Sequence, residues 1–354
     1  MTIVQGKGTL PRDKSGRNIH YDDASLSNYK RVEKGDFIIH LRSFEGGLEM
    51  AHETGIVSPT YTILRCSKPH SSLFYEAYFH TDEFINHVLS KAVEGIRDGR
   101  QISYEAFKWL GIPYCANAEQ EKISALFEAI NRRIEKQEQI VNALKKYKRG
   151  AVRSLLSAKS CPLKNASWTT AKMGELGYFI KGATLSKADI SEDGTPFILY
   201  GELYTTYNEV VTSVKRRTQA QIDETFLSRV GDVVIPTSGE TPEEISTASC
   251  VMLPDVILAG DLYIFRGDKV DGRIMSYLLN HVVNGKIARI AQGKSVVHIQ
   301  ASELCKLTLT YPDKNTQNTI IGFLSLLDDK IMNEEKLLAF LSVLKEGLLQ
   351  QLFI

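Results

Sequence analysis

A stretch that occurs twice constrains this chain more than anything else in it. The copies, Glu119 to Leu156 and Thr316 to Phe353, align without a gap at a constant offset of 197 positions. That offset sets Gln120 on Gln317, Ile123 on Ile320, Ile134 on Ile331, Glu138 on Glu335, Leu144 on Leu341, Lys148 on Lys345 and Gly150 on Gly347. Apolar periodicity makes many helices resemble one another, but Gln, Lys and Gly shared at fixed register mark a true internal repeat. Each copy reads as one long helix with a heptad seam. The first carries Ile123, Ile130 and Leu144 in one row and Phe127, Ile134 and Val141 in the other. The second carries Ile320, Leu327, Leu341 and Leu348, with Leu324, Ile331 and Leu338. One seam position is polar in both copies, Gln137 and Glu334, and a polar seam residue fixes register at a cost in stability. A helix of roughly 35 residues is about 50 Å long, too long for an ordinary globular core. The two are therefore expected to pack on each other, antiparallel; two separate amphipathic helices are the alternative.

At 354 residues the chain is long enough for two domains with full cores. It contains no run of 18 apolar residues, and Met1–Lys14 has no apolar centre for a signal peptide. Five isolated cysteines (Cys66, Cys115, Cys161, Cys250, Cys305) point to reduced thiols in a cytoplasm rather than to a zinc cluster. The net charge is +1, so contact with nucleic acid must come from local patches. One such patch runs along the first long helix: Arg132, Arg133, Lys136, Lys145, Lys146, Lys148, Arg149 and Arg153. On a helix taken alone it reads as a solvated face.

In chain order the sequence gives a globular unit, a long helix, a second globular unit and a second long helix. The expected boundaries are 1–115, 116–157, a connector over 158–171, 172–314 and 315–354. In the first unit, strands are expected at Phe37–Leu41 and Ile56–Leu64, with a helix over Leu73–Leu89 capped by Ser71 or Ser72. In the second, strands are expected at Pro196–Tyr200, Asp232–Pro236 and Val256–Phe265, with a helix over Gly272–Asn284. The repeat extends faintly into both: Lys34–Ile39 answers Val230–Ile235, Gly95–Ser103 answers Ile290–Ile299, and Ile112–Tyr114 answers Leu309–Pro312.

Catalytic signatures are missing from the sequence. It has no Gly-x-Gly-x-x-Gly, no P-loop, no His-Glu-x-x-His and no paired Cys motif. It also lacks the Asp/Asn-Pro-Pro-aromatic run of adenine methyltransferases. His298 reads as structural, Ser58 and Ser238 as turn or strand residues, and Gly239–Glu244 as an acidic helix start. Binding and scaffolding are expected, not catalysis.

The arrangement resembles the specificity (S) subunit of type I restriction–modification systems over nearly the whole chain. The stretches that carry the resemblance are Lys172–Gly177, Gly194–Tyr204, Gly231–Glu240, Ala291–Ile299, Ile56–Tyr61 and the Gln-led long helices. The resemblance implies an α+β fold: two pseudo-symmetric mixed α/β target recognition domains separated by two long antiparallel coiled-coil helices. It implies a non-catalytic subunit that reads a bipartite, asymmetric site in double-stranded DNA. It further implies docking of two methyltransferase (M) subunits, which use S-adenosylmethionine, and through them of restriction (R) subunits. No cofactor in this chain and no membrane are implied. A counterpart of Lys172–Gly177 would fall before Met1, so the first unit is expected to start late, without its opening strand.

Base edges are read by Arg, Lys, Asn, Gln and hydroxyls, and phosphates by Lys, Arg, hydroxyls and backbone amides. Loop residues able to do this in the second unit are Lys181, Lys187, Tyr204, Thr205, Tyr207 and Asn208, with Gln292, Lys294 and Ser295 in a glycine-containing loop. In the first unit they are Arg42, Arg97, Arg100 and Gln101. Partner docking and helix pairing fall to Ile123, Phe127, Ile130, Ile134, Leu144, Ile320, Leu324, Leu327, Ile331 and Leu341. A pseudo-symmetric coiled-coil adaptor that binds proteins rather than DNA is the competing reading.

Overall fold

The computed structural model describes residues 1–4, 6, 8–11, 23–39, 47–94, 101–293 and 296–353. The chain forms two compact units, Met1–Ile140 with Glu334–Ile354, and Val141–Asn333.

Unit 1 begins with the hairpin β1 (Thr2–Val4) and β2 (Gly8–Leu10). Then come β3 (Lys30–Val32), β4 (Phe37–Ile39), β5 (Leu48–Met50), β6 (Gly55–Val57) and β7 (Thr62–Leu64). β4 lies between β5 and β7, all antiparallel, and β3 pairs with β6. The apolar run Ile56–Leu64 is thus two strands, interrupted at Ser58–Tyr61, where the Tyr61 N–H donates to the Ser58 carbonyl. Helix α1 (Ser72–Phe79) starts at Ser71, whose side chain accepts from the Phe74 N–H. The expected helix to Leu89 does not continue regularly. It breaks at His80–Thr81 and resumes as a π-helix over Glu83–Val88 and a 3-10 helix over Leu89–Ala92. The Thr81 hydroxyl donates to the Tyr78 carbonyl and accepts from the Phe84 N–H, a local bond set that competes with helix continuation. A short hairpin, β8 (Val93–Glu94) and β9 (Gln101–Ile102), precedes α2 (Tyr104–Phe107).

Helix α3 (Asn117–Leu155) follows and is 39 residues long. Unit 2 continues with β10 (Trp168–Lys172), α4 (Met173–Leu176), β11 (Tyr178–Lys181), β12 (Thr195–Leu199), α5 (Glu202–Thr205), β13 (Val210–Val211) and β14 (Arg216–Thr218). β15 (Asp232–Pro236), β16 (Ser238–Gly239), α6 (Pro242–Ile245), β17 (Ser249–Val251), β18 (Ile257–Ala259) and β19 (Leu262–Arg266) come next. The unit closes with α7 (Gly272–His281), α8 (Asn284–Ile290), β20 (Val297–His298), α9 (Ala301–Cys305), β21 (Thr308–Pro312) and α10 (Lys314–Leu352), the last again 39 residues long. A five-stranded sheet (β11-β19-β15-β17-β13) and a three-stranded one (β14-β12-β18) enclose one core of Ile198, Val234, Leu258 and Ile264. A second core lies under α7 and α8, and Cys250 on β17 belongs to it with no exposed surface. Strand β15 (DVVIP) is buried throughout, as expected of a central strand. β10 was expected to be connector; it is polar on an open face, and its partner β21 lies far along the sequence.

The antiparallel pairing of the long helices holds within each unit. In unit 1, Gln137 Nε2 donates to the Glu334 carbonyl at 3.1 Å and to its carboxylate, while Phe127 stacks on Phe353 at 6.2 Å. Earlier residues of α3 therefore meet later residues of α10. In unit 2, Lys148 meets Asp328 at 2.6 Å, and Val152 and Leu156 join the cluster of Ile320 and Leu324. Along the expected seam Phe127, Ile320, Leu324, Leu327 and Ile331 are buried, and Ile123, Ile130, Ile134, Leu144 and Leu341 are half-buried.

The repeat is visible in hydrogen bonds. Gln120 accepts from the Ser71 N–H and donates to the Cys115 carbonyl, both at 2.9 Å. Gln317 accepts from the Asp271 N–H at 2.9 Å and donates to the Pro312 carbonyl at 2.8 Å. Each ties a long helix to the cap of the helix that packs on it. Both are buried to within 1% exposure, so Gln317→Ala or Gln120→Ala leaves a backbone N–H and a backbone C=O beside the helix without their partner. A loss of about 1–3 kcal/mol is expected for each, read as a lower urea midpoint at unchanged slope.

A second device recurs at the edge of the central strand. Gly35 and Gly231 turn through φ of 93° and 97°, which only glycine adopts without strain, just before Asp36 and Asp232. Asp36 accepts from the Glu33 N–H and from Arg65; Asp232 accepts from the Arg229 N–H and from Arg266. The Arg65 side chain is 54% exposed and that of Arg266 only 7%.

Candidate nucleic-acid interface

Sheet topology brings several expected DNA readers to one end of unit 2. β12 and β18 run parallel, so both finish at the same end, with Leu199 beside Ala259. β15 finishes there too, since Pro236 pairs with Leu262 at the start of β19, and β11 ends there with Lys181 opposite Tyr263. A polar cleft of about 420 Å³ opens among these ends, lined by Lys181, Thr184, Thr237, Asp261, Tyr263 and His298.

His298, at the edge of this cleft, also forms an antiparallel bridge. Gln292 and His298 exchange both backbone hydrogen bonds, at 2.9 and 2.8 Å, and His298 pairs in turn with Ser238 of β16. Gly293 is required beside this bridge: its φ is 137°, and an added Cβ would lie 1.9 Å from the Val296 carbonyl oxygen. Directly cross-strand residues share a face, so Ser238, His298 and Gln292 form one row. Ser238 is buried and donates from its hydroxyl to Asp261 at 2.9 Å; His298 and Gln292 are exposed. In unit 1 the matching strand pairing places Glu94 opposite Gln101. The scaffold recurs and the side chains differ.

The other expected readers divide. Tyr204 and Thr205 sit on α5, just beyond the end of β12. The Tyr204 phenol is pushed up by burial, and by the nearby Tyr200, Glu244 and Glu240. Tyr207 is a strut: burial raises its phenol, and its oxygen accepts from the Lys215 N–H at 3.2 Å. Asn208 is exposed, and its carbonyl accepts from the Ser249 hydroxyl. Lys187 is not gathered with them; it lies in a turn (Lys187–Asp189) leading to Ser191, which pairs with Arg217 beside the start of β12. Gln101 lies in β9, while Arg42, Arg97, Arg100, Lys294 and Ser295 fall outside the described residues. Thr237, Asp261 and Tyr263 also line the cleft, and so does His298, which the sequence alone marks only as structural. A signal for His298 existed, since the repeat offset sets it on Gln101.

Lys148, read above as part of a basic patch, is buried instead. Its ammonium is held by Glu209 at 2.8 Å and Asp328 at 2.6 Å. Glu209 also meets His281, and Asp328 accepts from the Tyr277 hydroxyl at 2.9 Å. Burial pushes the Glu209 carboxyl up, but the bonds and charges of His281 and Lys148 prevail and hold it at about 2. Glu209 follows Asn208 directly, and the Ser276 hydroxyl donates to its carbonyl. The network thus joins α3, α10 and α7 to the loop that carries Tyr207 and Asn208. Among the described residues no group of His, Cys, Asp and Glu is disposed to hold a metal ion, and no helix is long and apolar enough to cross a membrane.

The two units thus share an α+β plan, each with a short antiparallel strand pairing and a segment of both long helices. Residues 165–341, half of the chain, match the family model of the type I restriction modification DNA specificity domain, and the chain belongs to that family. The fold is shared with a chain from work on complex assembly and conformational transition of the type I R-M system (TM-score 0.61, 16% identity, 92% of this chain and 83% of that one). It is shared likewise with the type I restriction–modification system S subunit from M. genitalium (TM-score 0.58, 15% identity, 92% and 84%). No curated protein matches significantly.

Proposed function

We propose that the chain is the non-catalytic DNA-reading subunit of a type I restriction–modification complex, each unit reading one half of a bipartite, asymmetric duplex site. The observation that carries this is a recurring strand pairing: one repeat position holds His298, opposite Gln292, in unit 2 and Gln101, opposite Glu94, in unit 1. A shared scaffold with unlike reading residues is what an asymmetric site requires. Two methyltransferase subunits, supplying S-adenosylmethionine chemistry, dock on the helices, and restriction subunits join through them. Support for docking comes from apolar side chains left in water. In unit 2 a groove of about 900 Å³ is lined by Tyr147, Gly150, Ala151, Leu155, Ile320 and Phe323, and Leu326 is 72% exposed. In unit 1, Phe340 and Val343 are 62% and 65% exposed.

The test is methylation-site sequencing of cells carrying the chain with its methyltransferase. A two-part motif is expected. Gln292→Ala/Lys294→Ala relaxes one half alone, by about 1–3 kcal/mol or roughly one to two powers of ten. The reconstituted complex has a mass of one chain to two methyltransferases. DNA affinity falls steeply with salt, because each phosphate contact releases counterions. A chain that binds its partners but no DNA at low salt is the adaptor of the competing reading.

A further inference from the structure

We propose that His298 is a specificity-determining residue: with Gln292 it forms a paired reading element, and it takes the N7 acceptor of a purine in the major groove. The inference rests on the DNA-reading function proposed above and names the side chain and atom that perform it in unit 2. Extended backbone fits the major groove, and His298 on β20 is held between Ser238 of β16 and Gln292 by antiparallel pairing on both sides. Gln292 and His298 are a hydrogen-bonded cross-strand pair, so their Cα atoms stand about 5.5 Å apart on one face. Both are exposed, and the row they continue is anchored at its inner end by the bond from Ser238 to Asp261.

The neighbouring charge decides between base and backbone. Lys181 lines the same cleft, but so does the Asp261 carboxylate, which would repel a phosphate placed there. The row therefore faces base edges. Gln pairs bidentately with adenine N6 and N7. Either imidazole tautomer offers one N–H, and N7 is the major-groove acceptor common to both purines. His298 accordingly demands a purine and tolerates either one.

The experiment uses the full chain assembled with its methyltransferase subunits, on duplexes carrying the mapped site. Each purine in turn is replaced by its 7-deaza analogue, which lacks the N7 acceptor. The parent complex is expected to lose about tenfold to a hundredfold in methylation efficiency at one position that Gln292→Ala leaves sensitive. His298→Ala loses a similar factor on the natural site and becomes indifferent to the analogue at that position. His298→Asn, which keeps an N–H donor, recovers part of the loss. The inference is overturned if His298→Ala keeps the parental pattern of analogue sensitivity, if it damages both halves alike, or if no purine responds in the parent. In each of those cases sequence-specific methylation by the parent leaves the DNA-reading function standing. A parent complex that methylates no defined motif removes both.

Discussion

Lys148→Met is expected to lower the unfolding free energy of the chain by about 3 kcal/mol, the low end for a broken buried pair. It removes the ammonium from between two carboxylates, while His281 still meets Glu209. The methionine matches the aliphatic stem in volume, so the loss reports charge rather than a cavity. Glu209 and Asp328 are left facing each other with no ammonium between them. Restoring neutrality with Glu209→Gln and Asp328→Asn in the same chain recovers much of the loss. The pH dependence has a definite sign. The Glu209 carboxyl is held at about 2 against an ordinary 4.5, so its stabilisation is complete above pH 4.5. It fades as pH falls through about 2, and amounts to about 3 kcal/mol. In Lys148→Met that acid dependence is shallower but not lost, because the His281 bond that lowers the Glu209 carboxyl most remains. Urea unfolding between pH 2 and 7 measures both effects; a change below 1 kcal/mol at neutral pH would show that the network contributes little.

Arg266→Met is the second large effect, and its counterpart in unit 1 supplies the control. Asp232 and Arg266 are both buried, so removing the guanidinium leaves a carboxylate without its partner and costs about 3–5 kcal/mol. Arg266 also donates to the Leu227 carbonyl at 2.6 Å, which is left unpaired as well. Arg65 makes the same contact with Asp36 but stands half in water, and burial of Asp36 is opposed by Arg65 and by the Glu33 N–H, which together keep that carboxyl low. Water can replace an exposed guanidinium, so Arg65→Met costs much less than Arg266→Met. Equal losses at the two sites would contradict this account of burial.

What the sequence revealed follows from how local each signal is. The long helices and their polar seam pair, Gln137 with Glu334, were legible because heptad spacing and a fixed repeat offset lie in the sequence itself. Asp232–Pro236 was legible as an unbroken apolar strand. Val256–Phe265 was not resolved into β18 and β19, since the Gly260 turn is set within an apolar run and its φ of 82° is a backbone property. β10 was missed because its partner comes from β21, more than a hundred residues later. Lys148 was misplaced for a related reason. Nothing near it in sequence announces Glu209, Tyr277 or Asp328, so it counted as one more cation on a basic helix. Loops at the sheet end showed the right residue types, but only strand direction says that Lys181 and His298 share a cleft while Lys187 leaves it.

The burial of Cys250 makes unit 2 its own reporter. This thiol sits on the central sheet with no exposed surface, and burial pushes its pKa up to about 12. A thiolate is the reactive form, so an alkylating reagent meets an inert group while the sheet is closed. Cys66, in unit 1, is exposed and reacts at once. Slow modification of Cys250 therefore times the opening of β17 itself. In Lys148→Met or Arg266→Met the same peptide should become labelled at rates that grow with each loss of stability, with no probe added to the chain.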